Sequence, residues 1–326
     1  MLRVKIYPEI RLVALTGCAL AGAVASGAEP ALIAAVRSQN EARVAAVLSE
    51  NPDVNAVAAD GSTALLAAVE LDDVALAERL LAAGARVDIA NRNNISPLAV
   101  AAMNGNAAIV ERLLARGANV DELSGEGQTA LMLAAQNGRP EAVALLLEKG
   151  ANVQAIEPFR GQTALMWAAG AGNADATALL LAHGARVEDK SKAGFTALLF
   201  AVRNAQLDAL RVLLERGANA NAVAPDGTSA LGMAVVNAYY EVASVLLEHG
   251  ADPNLPDPRG SALHTIAWLR RPGASGTAAV GGEAEAVPVP VGKVTSLELA
   301  KQLLEHGANP NVRIDWKEQR FGKEGG

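Results

Sequence analysis

A hydroxyl residue followed by Ala-Leu or Pro-Leu and a run of small apolar residues returns along this chain at a nearly constant interval. The run starts at Thr63, Ser96, Thr129, Thr163, Thr196, Ser229 and Ser261, in steps of 33, 33, 34, 33, 33 and 32 residues. A second series keeps the same interval. Leucine pairs followed by Gly-Ala place glycines at Gly84, Gly117, Gly150, Gly184, Gly217 and Gly250, and a last one at Gly307, 57 residues on. Self-similarity at this period points to stacked units that each touch only their neighbours, rather than to one globular core.

The residues inside the unit say what it folds into. Thr or Ser caps a short helix by offering its side-chain oxygen to free backbone N–H groups. Pro97 takes the first helical position once, where a missing N–H costs little. Small residues then let a neighbouring helix come close. The chain is 51% hydrophobic but only 3% aromatic, as close helix packing asks. Asn104-Gly105 and Asn137-Gly138 read as the turn to a second helix, whose terminal glycine supplies a left-handed residue. Asp72, Ala205 and Ala238 stand where that turn glycine is missing. Asn204 and Asn237 are expected to take the left-handed conformation in place of the two alanines. An Asn/Asp-rich exposed hairpin leads to the next cap.

The pattern G-x-T-A-L-x-x-A-A-x-x-G-N…L-L-x-x-G-A-N-V resembles the ankyrin repeat, over roughly residues 29–312. The resemblance implies an all-α solenoid of helix-turn-helix units with β-hairpin fingers. It also implies a curved binding face made of finger tips and inner helices, and a structural role for His264 in tying adjacent repeats. Eight repeats are expected: an N-terminal capping repeat over 29–59, six repeats over 60–259, and a last one over 260–312. The Gly/Pro/Ala-rich stretch 270–295 reads as a flexible loop inserted between the two helices of the last repeat. Residues 313–326 form a C-terminal tail.

The first repeat comes into register immediately after a different kind of segment. Arg3, Lys5 and Arg11 precede an apolar run from Leu12 to Val24 and small residues ending at Ala28. That is the layout of a secretory signal peptide over 1–28. Leu15-Thr16-Gly17-Cys18 offers a lipoprotein alternative anchored at Cys18. The expected location is periplasmic or secreted, with membrane attachment only through Cys18 or a retained signal.

The remaining chemistry is sparse. A net charge of −7 argues against a nucleic-acid partner. One cysteine, Cys18, excludes an intramolecular disulfide. The glycines of "GQTALMWAAGAGN" (161–173) fall at the end of a helix, whereas a phosphate loop needs them at a helix start. Ser229 is a cap, not a nucleophile at an elbow. His183, His249 and His306 each precede a repeat glycine, at helix C-termini. Asp252 to Asp257 lack calcium-loop spacing. No catalytic, cofactor-binding or metal-binding residues, and no small-molecule substrate, are expected.

Partner binding is expected instead. One row, Ala67, Val100, Leu133, Trp167, Phe200 and Met233, reads either as packing between inner helices or as a partly exposed groove centred on Trp167 and Phe200. Phe159, Arg160 and Phe195 lie at flanking finger tips, with Lys190, Lys192, Arg92 and Asn93 as polar additions. Aromatics and Arg favour interfaces. The expected function is a non-enzymatic protein-binding scaffold of the bacterial envelope or extracellular space. The alternative is a targeting module of a longer protein with a C-terminal effector domain.

Overall fold

The computed structural model describes residues 29–255, 260–269 and 292–312. Within them, inner and outer helices alternate. The inner helices are α1 (Ala31–Arg37), α3 (Ala64–Glu70), α5 (Pro97–Asn104), α7 (Ala130–Gln136), α9 (Ala164–Ala171), α11 (Ala197–Arg203), α13 (Ala230–Val236) and α15 (Ala262–Leu269). The outer helices are α2 (Glu41–Ser49), α4 (Val74–Ala82), α6 (Ala107–Ala115), α8 (Pro140–Glu148), α10 (Ala174–Ala182), α12 (Leu207–Glu215), α14 (Tyr240–Glu248) and α16 (Ser296–Glu305). Each inner helix packs on its own outer helix and on the inner helices before and after it. The segments 1–28 (with Cys18), 256–259 (with Arg259), 270–291 and 313–326 lie outside the described residues.

The hydroxyl series forms the caps. Side-chain oxygens of Thr63, Ser96, Thr129, Thr163, Thr196 and Ser229 accept from the backbone N–H three residues on, at 2.9 to 3.4 Å. Each such cap is worth about 1 kcal/mol. In the first unit Pro30 holds this position and has no side-chain cap. Packing on three sides explains why inner helices are apolar all round: every residue from Ala64 to Val69 is buried. Outer helices have a solvent side. On α12, Ala209, Leu210, Leu213 and Leu214 turn inward, while Asp208 and Glu215 remain exposed.

The turn between the helices departs from expectation in two units. Ala205 and Ala238 themselves adopt φ of 55° and 57°, as does Asp72 at 57°. Asn204 and Asn237 keep φ of −100° and −90°. The asparagines are held by other bonds: Asn204 Nδ2 donates to Gly170 O, and Asn237 Nδ2 to Met233 O. The turn position is thus fixed by stacking, and whichever residue stands there takes the left-handed conformation. A left-handed alanine costs about 1 kcal/mol.

Polar side chains at the finger bases link successive units. Asn55 donates to Gly84 O and accepts from Arg86 N. Asp121 accepts from Asn152 N, and Glu188 from Asn219 N. Gln154 donates to Gly184 O. Asn221 spans Gly250 O and Asp252 N. Asn254 makes the same pair with Gly307 O and Asn309 N, across 53 and 55 residues of sequence. The last unit is therefore linked to its predecessor as the earlier units are. His264 Nδ1 lies 2.7 Å from Ser261 Oγ, a contact inside its own unit.

Candidate partner-binding face

Among the described residues the fingers share one turn design, with a single exception. In five fingers, the tip glycine or its equivalent closes a β-turn with its own N–H: Gly61 N donates to Ala58 O, Asn94 N to Asn91 O, Gly127 N to Ser124 O, Gly194 N to Ser191 O and Gly227 N to Ala224 O. Between them the finger at 157–162 is one residue longer, and Gly161 N reaches back four positions to Glu157 O. The lone 34-residue step from Thr129 to Thr163 is the sequence trace of that extra residue. The Glu157 side chain, only 2% exposed, fills the wider turn. Its carboxylate accepts from Phe159 N at 2.7 Å, Arg160 N at 2.6 Å and Gln162 N at 3.3 Å. Charge-assisted bonds of this kind are about twice as strong as neutral ones.

The longer turn pushes Phe159 outward, to 67% exposure. The next finger props it from behind: Lys192 N donates to Arg160 O at 2.9 Å, and Lys192 Nζ donates to Pro158 O. Arg160 swings back over Trp167, 6.0 Å from the ring centre. Phe159, Arg160 and Trp167 line a hollow of about 290 Å³ together with Glu157 and with Gly125, Glu126 and Gln128 of the preceding finger. The Trp167 Nε1 donor is buried without a hydrogen-bond partner.

The row of inner-helix residues resolves mostly as packing. Ala67, Val100, Phe200 and Met233 are buried, whereas Leu133 and Trp167 remain half-exposed. A groove centred on both Trp167 and Phe200 is therefore corrected to one centred on Trp167. Phe200 lies beneath its neighbours: Phe195 sits at 5.7 Å, tilted 47°, and the Arg203 guanidinium lies 5.0 Å from the Phe200 ring and 5.4 Å from Phe195. Burial pushes the Arg203 pKa down. On α9, Gly170 holds the register position of Arg203, so no side chain there covers Trp167 as Arg203 covers Phe200.

Phe159, Arg160, Trp167, Lys192, Phe195 and Phe200 thus come together over two units, and Lys190 is exposed on the neighbouring finger. Arg92 and Asn93 do not join them. They are exposed two fingers earlier, where Arg92 N bonds Asp60 O.

A second row escaped the sequence reading. Val57, Leu123, Ile156 and Val223 share one finger position and are 53%, 44%, 56% and 43% exposed, with Ala90 and Lys190 at that position on the two fingers between. With Ala90 and Lys190 included, a spacing of 33 or 34 residues was the available signal, but nothing in it distinguishes an exposed finger position from a buried one. Ile156 and Val223 each close an isolated antiparallel bridge, to Thr163 and Ser229.

Catalytic geometry is a separate question. Among the described residues no three His, Cys, Asp or Glu side chains gather as a metal site. His183, His249 and His306 cap outer helices, each with Nδ1 2.9 Å from the carbonyl one turn back. Among these residues, no helix is long and apolar enough to cross a membrane.

The family of this fold follows from comparison. The model of ankyrin repeats (3 copies) matches residues 72–157, 154–224 and 194–257, more than half of the chain. The chain belongs to the ankyrin repeat family. Among solved structures, the ankyrin repeat domain of human ASB11 superposes with a TM-score of 0.61 over 76% of this chain and 100% of that one, at 24% identity. That likeness speaks for the fold. No curated protein sequence matches at a significant level. Ankyrin repeats mark the chain as a protein–protein interaction module.

Proposed function

We propose that the chain is a non-enzymatic scaffold of the bacterial envelope or extracellular space that holds a partner protein on its fingers and inner helices, at the 157–203 segment. The observation that carries this reading is Phe159. A large aromatic side chain stands 67% exposed on a lengthened finger, bordering one hollow with a half-buried Trp and the Arg that lies over it. Aromatic and Arg anchors surrounding a small hollow are the usual make-up of a binding hot spot. The envelope setting rests on the sequence of residues 1–28 alone.

Affinity capture from envelope extracts of the native host tests the proposal. The baits are residues 29–326 and the same chain carrying Phe159→Ser and Arg160→Glu, both exposed changes that leave the core intact. A protein retained by the first and lost by the second supports the reading. Equal retention moves the interface elsewhere.

One observation favours the alternative, a targeting module of a longer protein. On α16, Leu297 and Leu304 are 65% and 48% exposed, whereas Tyr240 and Leu247, at the same positions of α14, are buried against the next unit. Intact-mass measurement on the native protein decides between the readings.

A further inference from the structure

Hydrogen-bond donors and positive charge collect on the aromatic strip without matching acceptors. Arg203 lies against two phenylalanine rings and forms no ion pair with a carboxylate among the described residues. Arg160 lies over Trp167, likewise without an ion pair. Trp167 Nε1 is a buried donor with no acceptor. Of the two carboxylates bordering the hollow, Glu157 is already committed to three backbone N–H groups, and Glu126 stands exposed on the preceding finger. Such a cluster is out of character for a chain of net charge −7.

Register places these groups in a line. Trp167 and Gly170 on α9 align with Phe200 and Arg203 on α11. Because Gly170 has no side chain, the Phe200 ring and the Asn204 amide approach α9 closely there, between Trp167 and Arg203 in the register. The far end of the same face has the opposite sign. Glu70, at the register position of Arg203, lies near Arg37 and Asp60, and burial raises its pKa. A guanidinium seated on aromatic rings attracts a carboxylate and pays less to leave water than an ammonium does. An oxygen acceptor would also satisfy the Trp167 donor.

We infer that the strip from Arg160 across Trp167 and Gly170 to Arg203 binds an acidic, partly apolar extended segment of the partner. Its carboxylates meet Arg203 and Arg160, and its apolar side chains lie on Trp167 and Phe195. This rests on the proposed binding face and adds the chemistry of what occupies it.

Fluorescence anisotropy with three labelled twelve-residue peptides tests the inference. One alternates glutamate with leucine, one glutamine with leucine, one lysine with leucine. The acidic peptide is expected to bind, the glutamine peptide about tenfold more weakly, and the lysine peptide not at all. Salt at about 0.5 M weakens the acidic complex. Arg160→Gln with Arg203→Gln, checked for folding by circular dichroism, reduces acidic-peptide binding about tenfold, and Arg203→Lys restores part of it. Equal binding of the acidic and glutamine peptides, undiminished binding by the double variant, or no acidic-peptide binding overturns the inference. The binding face itself fails separately, through equal retention of the captured partner by the Phe159→Ser, Arg160→Glu bait.

Discussion

Glu70 and Arg203 occupy the same place in their units, the last residue of an inner helix, four units apart. Both reach the surface, yet the protein packed around them takes enough water away to raise the pKa of one and lower that of the other. Their surroundings differ in kind. Around Glu70 the row residue is Ala67 and the following finger is Asn91 to Ile95, a polar turn closed by the Asn91 side chain. Around Arg203 the row carries Trp167 and Phe200, and the finger at 157–162 gains a residue and a buried carboxylate. The frame of caps, leucines and left-handed turns is common to both ends. What changes is the handful of positions that the frame leaves free, and function is grafted there.

That comparison can be broken first at the frame. Leu65→Ala in α3 and Leu198→Ala in α11 remove side chains that are each at most 1% exposed. Each should cost about 2–5 kcal/mol in urea unfolding, with no preference between the two ends. A loss confined to one end would mean that the frame is not shared. Second in size is the finger that differs. Glu157→Ala leaves three backbone donors unsatisfied and should cost about 1–3 kcal/mol, whereas the corresponding Ser124→Ala costs less, because its hydroxyl serves only Gln128 N. Equal losses would contradict the special role given to the longer turn. Third, Ala205→Gly should stabilise by up to about 1 kcal/mol by relieving a left-handed alanine. Ala238→Gly should be near neutral, since Ala238 is 0% exposed and its buried methyl group offsets the gain.

The smallest effect is electrostatic. Burial raises the Glu70 pKa, so the folded state favours its protonated form. Its contribution to stability is fully present below the ordinary glutamate range and is lost as pH rises through the raised value. Glu70→Gln should therefore stabilise at neutral pH by about 0.5 kcal/mol or less, given solvent screening, and the gain should vanish on acidification. Urea unfolding at neutral and acid pH checks the sign. A gain that grows as pH falls would contradict it.

Much of the frame was legible in the sequence because it is enforced at every unit. Thr63 and Thr163 cap for the same reason, and Gly84 and Gly250 are left-handed for the same reason. Asn51, aligned with Gly84, also takes a positive φ of 51°. The sequence misled where neighbours decide. Asn204 has the better intrinsic left-handed propensity, yet stacking places Ala205 at the turn and uses the Asn204 amide elsewhere. Phe200 and Trp167 share a register position, but Phe195 and Arg203 cover the first, whereas the second has Gly170 in the place of Arg203. The finger-base links from Asn55 to Asn254 were visible only as polar composition, because their partners lie one unit away. The extra residue at 157–162 was present in the spacing. Its consequence, an outward Phe159 over a buried Glu157, needed the turn geometry.

The central claim is that the partner docks at the Phe159 finger rather than at the matching finger near Glu70. Site-specific photo-crosslinking in the native host tests it most directly, with a benzophenone amino acid placed at Phe159 in one strain and at Asn93 in another. The account predicts a discrete crosslinked product from position 159 and none from position 93. The same product from both positions, or a product from position 93 alone, would contradict it.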